Sequence, residues 1–415
     1  MSFFNQRFIV LSFICIFSAF NSYSYQEDEI IDISTFNYGR LNIAIDVEKQ
    51  QGTEGRMLDR AEELLRRNLL WSGLFDIMNI YDSVDLILQL QLIPGEEIRV
   101  RLTTPDNTVL FDHGRALHSE NDLAPQTIRM VEEIIFQLTG ERSVLRSAIA
   151  YVEKDRSNQY RIMLTDAFGD QRIELVKDDK YNILPRWKPD GSALLFTSLG
   201  ETGSHLRLLD LKSSKITTLF TDLSKSSGGS WGVDGKSLII TRSSQGDSDL
   251  FRIDTQGNVL EKLTVRSSTE ANPRLSPDGD RLLFVSNRSG SIQIYQRIME
   301  TGETFRMTFE GPQNVEPNWS NDGAYIVFSG YKDGHFQIFL MDREGDFLQQ
   351  VTTGNRSAEQ PVWSPNGRQI LYVTKENYLQ KLYIVRADGT FNRRLTDTGP
   401  GISEFNPTWS ATFKW

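Results

Sequence analysis

Residues 315–329 read VEPNWSNDGAYIVFS, and this pattern recurs along the second half of the chain. A large apolar residue, then an Asp-Gly or Asn-Gly pair, then an apolar run return at a stride of about 44 residues. The pairs are Asp190-Gly191, Asp234-Gly235, Asp278-Gly279, Asp322-Gly323 and Asn366-Gly367. The apolar residues are Trp187, Trp231, Leu275, Trp319, Trp363 and Trp409. Repeats of this length with several strands each predict a β-propeller, with one blade per repeat.

Each repeat is predicted to hold four strands, and five complete repeats cover residues 184–398. Typical third strands are 250–254 and 338–342, and typical outer strands are 262–265 and 350–353. Three strands at the front (149–152, 160–165 and 172–176) and one at the back (405–410) are left over. Together they make one further blade, which would remove the unpaired edges of an open ring. The sequence therefore predicts an all-β six-bladed propeller, residues 149–415, closed by a split blade.

Residues 25–148 have a different pattern and are predicted to form a small α/β domain. The expected strands are 30–36, Leu41–Val47, Leu86–Ile93, 98–103 and 109–117. A loop is expected at 52–55, and helices at 56–72 and 123–138. Apolar residues fall on one face of each helix, and Gly73 and Gly140 stand where C-terminal caps belong. We expect the helices to pack on a mixed sheet.

Residues 1–24 have the features of an export signal. Arg7 gives a positive start, residues 8–20 are apolar or small, and Ser22 and Ser24 suit a cleavage site after Ser24. A membrane anchor is the alternative, but the apolar run falls short of the roughly 20 residues that span a bilayer. The single cysteine, Cys15, lies in this segment, so no thiol or disulfide is expected in the exported chain.

The formal net charge of −10 argues against nucleic acid or an anionic membrane surface as the main partner. No catalytic motif is found in a suitable context. Residues 228–232, GGSWG, match the Gly-x-Ser-x-Gly pattern, but Ser230 lies in the propeller register rather than between a strand and a helix. The histidines lack metal-ligand spacing, so no metal, cofactor or catalytic residue is predicted. A cation in a carboxylate-lined axial channel stays open as an alternative.

The loops that enter the first strand of each repeat are the predicted binding surface, because loops on a rigid scaffold collect at one mouth of a propeller. Four of the six are predicted to carry a carboxylate, and acidic loops that only keep an exported protein soluble are the alternative reading. The carboxylates are Glu270, Glu316, Glu359 and Glu404.

An export signal, a small α/β domain and repeats of the form Pro-x-Trp-Ser-Pro-Asp-Gly together resemble the TolB family of the Tol-Pal system. Residues 361–367, PVWSPNG, and 273–279, PRLSPDG, show the repeat. The resemblance covers nearly all of the exported chain. Gly229 and Val233 replace both prolines of the second repeat, and Leu275 replaces the tryptophan of the third. These departures affect local packing.

The resemblance implies a non-catalytic, monomeric adaptor in the periplasm of a Gram-negative bacterium, with a role in outer-membrane invagination during cell division and in outer-membrane integrity. The propeller mouth would bind the peptidoglycan-associated lipoprotein Pal, and the N-terminal arm would bind TolA. In the family register the Pal-facing positions are Lys225, Gly228, Ala271 and Asn272. The arm corresponds to Tyr25, Gln26, Glu27, Asp28, Glu29, Ile30, Ile31, Asp32 and Ile33.

Two other classes remain as alternatives. An exported propeller enzyme, of the lactonase or sugar dehydrogenase type, would need metal or cofactor ligands that converge on the axis. A carbohydrate-binding propeller would need exposed aromatic residues at the mouth, where the sequence offers Phe405.

Overall fold

The computed structural model describes residues 40–48, 51–93, 97–178, 180–201, 203–222, 226–244, 247–264 and 268–410. The predicted leader (1–24), arm (25–33), first strand (30–36) and Lys225 lie outside the described residues. Within the described segments, no helix combines the length and the apolar character that crossing a bilayer requires.

The N-terminal part holds a mixed five-stranded sheet, as predicted. Its strands are β1 (Leu41–Val47), β2 (Phe75–Met78), β3 (Leu86–Ile93), β4 (Glu97–Thr103) and β5 (Val109–Ala116). The order is β2-β1-β3-β4-β5, in which β1 runs parallel to both neighbours and the other pairs are antiparallel. The sequence analysis missed β2, because it has only four residues and Asp76 interrupts its apolar pattern.

Two long helices accompany this sheet, α1 (Gly52–Trp71) and α2 (Leu123–Thr139). The loop predicted at 52–55 is wrong, because α1 already begins at Gly52 and the N–H of Gly55 donates to the carbonyl of Gln51. Both predicted ends are confirmed by left-handed glycines, with φ of 78° at Gly73 and 70° at Gly140.

A short 3-10 helix, Glu120–Asp122, precedes α2, and from Ala148 onward all regular elements of the described chain are strands. The first group is β6 (Ala148–Lys154), β7 (Tyr160–Asp166), β8 (Arg172–Val176), β9 (Tyr181–Trp187), β10 (Ala193–Gly200), β11 (Gly203–Asp210) and β12 (Ile216–Asp222). The second is β13 (Ser226–Trp231), β14 (Ser237–Ser244), β15 (Asp247–Asp254), β16 (Val259–Lys262), β17 (Glu270–Leu275), β18 (Arg281–Ser286), β19 (Gln293–Ile298) and β20 (Thr304–Arg306). The third is β21 (Asn314–Trp319), β22 (Tyr325–Lys332), β23 (His335–Asp342), β24 (Leu348–Gln350), β25 (Ala358–Trp363), β26 (Gln369–Glu376), β27 (Leu379–Arg386), β28 (Arg393–Arg394) and β29 (Ser403–Ser410).

These strands pair as a propeller-like array of antiparallel meanders. β13–β16, β17–β20, β21–β24 and β25–β28 each form a four-stranded sheet. β9–β12 form a further meander, which one parallel pair, Tyr160 with Tyr181, joins to β7. The last strand, β29, pairs antiparallel with β6, so that Trp409 lies opposite Ile149. The two ends of the repeat region therefore meet in one sheet.

The outer strands end earlier than predicted, at Lys262 in β16 and at Gln350 in β24. The apolar residues Leu263 and Val351 suggested longer strands. Each lies one residue beyond its strand, is buried, and donates its N–H to the third strand of its sheet. Their apolar character reflects this burial.

The repeated residues form the hairpin turns and the packing between sheets. Glycines 191, 235, 279, 323 and 367 have φ between 62° and 81° in the hairpin turns. The side chain of the aspartate or asparagine before each glycine accepts a hydrogen bond from the backbone N–H two residues further on, as Asp190 does from Ser192. Tryptophans 231, 319, 363 and 409 are buried between sheets. The indole of Trp319 also donates to the carbonyl of Arg274 in the preceding repeat.

One apolar cluster joins the α/β part to the strands that follow it. Trp71, at the end of α1, stacks on Phe168 with ring centroids 5.8 Å apart and meets Phe391 edge-on. Polar bonds surround the contact: Gln369 donates to the carbonyl of Trp71 (3.0 Å), and Arg386 pairs with Asp76 (2.7 Å). The α/β part is therefore fixed against the β25–β28 sheet and the β6–β8 strands.

Candidate functional site

The first, or inner, strand of each repeat interrupts its pairing at the same position. The inner strands are β9, β13, β17, β21, β25 and β29, and the register of each shifts at a bulge. At the bulge one residue has a φ of 49° to 57°, and all six such residues are partly accessible. We call them the bulge ring: Leu184, Gly228, Asn272, Glu316, Gln360 and Asn406.

The residue that follows each bulge explains why the pairing stops there. It is proline in five inner strands and Gly229 in β13, and all six are buried. Proline has no N–H to donate, so the ladder of hydrogen bonds cannot continue through it. The backbone therefore turns out of the ladder, and the N–H group of the bulge residue becomes available for another acceptor.

Side chains of the bulge ring provide those acceptors from one strand to the next. The N–H of Gln360 donates to Oε2 of Glu316 (2.6 Å), and the N–H of Asn406 donates to Oε1 of Gln360 (2.6 Å). The N–H of Leu184 then donates to Oδ1 of Asn406 (3.2 Å). Four inner strands are thus linked in one direction, and β29 is linked to β9. This network brings residues far apart in sequence to a common, preorganised centre.

Glu316 is the one carboxylate of the bulge ring. Ser329 donates to its Oε2 (2.9 Å), the same atom that accepts the N–H of Gln360. Burial raises the pKa of Glu316, and the nearby charge of Glu359 acts in the same direction, while these hydrogen bonds and Arg274 oppose the rise. Glu316 therefore contributes a held acceptor to the network.

The predicted mouth residues fall into three successive positions. Gly228, Asn272 and Glu316 belong to the bulge ring, and Ala271 and Glu359 come one residue earlier and are partly accessible. Glu270 and Glu404 come two residues earlier and are fully buried. All seven lie within strands, so the prediction that they lie in loops is wrong. Pairing with the second strand of each sheet extends further than the polar sequence suggested.

Glu270 and Glu404 are buried because each satisfies neighbouring polar groups. Ser268 (2.5 Å) and Ser286 (2.9 Å) donate to Oε1 of Glu270, and Arg288 forms a 2.8 Å ion pair with its Oε2. Thr396 donates to Oε1 of Glu404 (2.7 Å), and burial raises the pKa of this carboxyl. Both side chains anchor the start of an inner strand, so neither offers an accessible contact.

Ser230 lies inside β13, and its Oγ accepts the N–H of Leu275 (2.9 Å) from the next inner strand. β13 leads through the Asp234-Gly235 turn into β14, where a nucleophile elbow would need a helix. Among the described residues, no three histidine, cysteine or acidic side chains group closely enough to hold a metal ion.

Sequence reasoning missed the bulge ring, although the signal is present. Leu184, Gly228, Asn272, Glu316 and Gln360 are spaced by 44 residues, directly before proline or Gly229. A residue before proline in an otherwise pairing strand indicates a break in the ladder, and a repeated break indicates a shared centre. The links between strands could not be predicted, because they depend on which side chain reaches which neighbouring N–H.

An α/β part followed by repeated four-stranded sheets, with inner strands that meet at a polar ring, defines a propeller-type protein. Residues 136–413 match the sequence model of the TolB beta propeller domain (PD40). The chain belongs to this TolB propeller family.

Relatives named Tol-Pal system protein TolB support this assignment. The protein of Methylobacillus flagellatus is 28% identical over 206 residues, 43% of this chain and 47% of the relative. The protein of Bordetella parapertussis is 27% identical over 189 residues, 40% of this chain and 42% of the relative. The chain thus spans somewhat less than half the length of these curated relatives.

Solved structures show the same fold at low identity. TolB from Acinetobacter baumannii superposes with a TM-score of 0.74 and 21% identity, over 89% of this chain and 96% of that chain. A putative TolB from Agrobacterium tumefaciens gives a TM-score of 0.50 and 19% identity, over 63% of this chain and 98% of that chain. The superposition with the Acinetobacter baumannii protein includes both the α/β part and the strands that follow.

Proposed function

We propose that the chain is a non-catalytic adaptor of a Tol-Pal system in the periplasm of a Gram-negative bacterium. It binds the lipoprotein Pal at the bulge-ring face of the propeller and TolA through residues 25–33. In this role it takes part in outer-membrane invagination during cell division and in outer-membrane integrity. The relatives named as Tol-Pal system proteins support the system, and the bulge ring supports the binding face.

The proposal includes a domain organisation: an export signal at 1–24, an α/β domain at 25–148 and a monomeric six-bladed propeller at 149–415. Pairing of β29 with β6 supports a split blade that joins the chain ends. Contacts between successive inner strands, including β29 with β9, support a closed ring. A closed ring leaves only the short outer strands with a free edge, which limits association with other chains.

The observation that carries the binding face is the hydrogen-bonded bulge ring. Three side-chain acceptors fix four inner strands relative to one another, so the surface around them is rigid before a partner arrives. A preorganised surface loses less entropy on binding. Gly228, Ala271, Asn272 and Glu359 are partly accessible positions on this face, and the family register adds Lys225 to the proposed site. The buried side chains of Glu270 and Glu404 stabilise this face by anchoring the starts of two inner strands.

The exported-enzyme alternative would place reactive ligands on the axis. The bulge ring supplies one carboxylate and three amides there, and that carboxylate already accepts bonds from Ser329 and the backbone. Such groups suit recognition of polar backbone and side-chain groups on a protein partner. The adaptor function is therefore the one that this geometry favours.

Calorimetric titration of residues 25–415 against the periplasmic part of Pal from the same organism tests the proposal. Wild-type protein is expected to bind, and Glu359→Lys and Ala271→Arg to weaken binding by about tenfold or more, because each places an unmatched cation on the face. Glu261→Lys is the matched control, since Glu261 is exposed on the outer strand β16. In parallel titrations, deletion of residues 25–33 should remove binding of TolA and spare binding of Pal.

Equal losses in Glu359→Lys and Glu261→Lys would move the Pal site away from the bulge ring. No binding of Pal by the wild type would overturn the adaptor role itself. Retention of TolA binding after the deletion would remove the arm from the proposal.

A further inference from the structure

A second ring of side chains lies on the inner strands, two residues beyond the bulge ring and directly after the proline or Gly229. Its members are Arg186, Ser230, Arg274, Asn318, Val362 and Thr408. All except Val362 line a cavity of about 350 Å³ that extends to Pro189 and Pro277 near the Asp-Gly turns. We call these six residues the donor ring. At about 3.3 Å per residue, it lies about 7 Å along the strands from the bulge ring.

The two arginines of the donor ring use few of their hydrogen-bond donors. Nη1 of Arg186 donates to the carbonyl of Pro185 (2.8 Å), and Nη1 of Arg274 donates to that of Pro273 (2.9 Å). The Nε atoms of both are buried and lack a hydrogen-bond partner among the described residues. A guanidinium offers five N–H donors, so most of the donor capacity at this site is unused.

The charged side chains that line this cavity are cations, although the whole chain carries a net charge of −10. Lys188 lines it together with the two arginines, but its charge is compensated by a 2.6 Å ion pair with Asp190. Burial lowers the pKa of Arg186 well below its ordinary value and that of Arg274 to about 10. The charge of Arg274 lowers the pKa of Arg186 further, while the charge of Glu316 opposes the shift of both arginines. Both side chains are partly buried. Glu316 compensates them only in part, because neither arginine forms an ion pair with it among the described residues, and a bound anion would stabilise both cations.

The cavity wall includes a large apolar surface beside its polar residues. Trp187, Trp231, Trp319 and Trp409 contribute to the lining, with Pro189 and Pro277 at its outer end. Two arginines beside apolar tryptophan surface suit an organic anion, which has a carbon skeleton, better than an inorganic ion. Carboxylates also match the planar fork of a guanidinium in a bidentate contact.

We propose that the donor ring is a binding site for a small organic carboxylate, held by Arg186 and Arg274 with Ser230 and Asn318 as further donors. The carboxylate comes either from a free solute or from an acidic side chain that a partner inserts into the cavity. This site is separate from the proposed Pal face, because it opens toward the Asp-Gly turns rather than at the bulge ring.

Calorimetry and thermal unfolding of residues 25–415 with succinate test the proposal. Inorganic phosphate, the neutral analogue butane-1,4-diol and a capped Gly-Glu-Gly peptide serve as comparison ligands. We expect succinate to bind and to raise the unfolding temperature, with no effect of the diol. Arg186→Gln and Arg274→Gln should each weaken binding by about 10- to 100-fold, because each removes charge-assisted bonds. Lys236→Gln, exposed on a neighbouring Asp-Gly turn, is the matched control.

The unliganded variants separate binding from a structural role. If the arginines serve the ligand, both variants keep or raise the unfolding temperature of the free protein and lose its rise with succinate. Variants that unfold at a lower temperature yet still respond to succinate would overturn the proposal, as would a wild type that ignores both succinate and the peptide at millimolar concentration. Phosphate binding as tight as that of succinate would overturn the carboxylate preference. Binding of the peptide alone would assign the site to an acidic side chain of a partner.

Discussion

Glu270 and Arg274 lie four residues apart in the same strand, β17. The side chain of Glu270 is fully buried, and that of Arg274 is partly buried beside the cavity. Two serine hydroxyls and Arg288 surround Glu270, so both of its oxygens are occupied. Arg274 donates one bond, to the carbonyl of Pro273, and faces a cavity with its Nε unpartnered within the described chain. The hydrogen-bonding groups of Glu270 are therefore satisfied within the protein, and most of those of Arg274 are not.

This difference separates polar groups that stabilise the fold from polar groups that are available to bind a ligand. Buried polar atoms in proteins almost always have partners. The scaffold residue Arg386 also has an unpartnered Nε, but it is ion-paired with Asp76, whereas Arg274 forms no ion pair among the described residues and lines a cavity. The carboxylate end resembles a packed core with hydrogen bonds in place of apolar contacts. The arginine end keeps its donors open at a cost in stability, which is typical of sites that bind.

The largest expected effect comes from breaking the satisfied end. Glu270→Ala should lower the free energy of unfolding by about 3–5 kcal/mol, because it leaves Arg288 as an uncompensated buried charge. Chemical denaturation measures the loss. Glu261→Ala, on the exposed outer strand β16, should change stability by less than about 0.5 kcal/mol. Similar small changes in both variants would mean that the Glu270 network does not support β17.

The sequence predicted the scaffold closely because the fold signal is repeated. A tryptophan, an Asp-Gly turn and an apolar run place most strand ends to within a few residues, and most helix ends likewise. The α/β part was read less completely: Gly52 was taken as part of a loop, and the short β2 went unseen. Single occurrences give weaker signals than repeats.

The site was predicted less well than the scaffold, for a physical reason. Glu270 and Glu404 appeared to be exposed because glutamate is rarely buried without a partner. Their partners are not visible in sequence: Arg288 is 18 residues from Glu270, and Thr396 is 8 residues before Glu404. Burial of a charged residue is decided by these contacts rather than by its own chemistry.

A smaller effect is expected at the bulge ring. Gln360→Ala should cost about 1–3 kcal/mol, because the N–H of Asn406 loses its acceptor. Gln360→Gly loses the same acceptor but relieves the left-handed backbone, where φ is 56°. The glycine variant should therefore be more stable than the alanine variant by about 1 kcal/mol. Equal stabilities in denaturant titrations would show that this backbone conformation costs little.

The smallest expected effect is a change in pH dependence at Glu404. Burial raises the pKa of this carboxyl above its ordinary value of 4.5, while Thr396 and Lys381 oppose the rise. The folded state therefore binds this proton more tightly than the unfolded state does. Its contribution to stability is fully present below about pH 4.5 and is lost as pH rises through the folded-state pKa.

Glu404→Gln removes this titration while keeping the side-chain shape. The stability of the wild type minus that of the variant should fall as pH rises from about 4.5 and then become constant, whatever offset the amide introduces. Denaturant titrations across this range measure the difference, with Glu261→Gln as the exposed control. A difference that rises with pH would mean that the hydrogen bonds and Lys381 outweigh burial. Glu404 would then be stabilised as an anion, and the contrast with the only partly compensated arginines at the other end of the inner strands would become sharper.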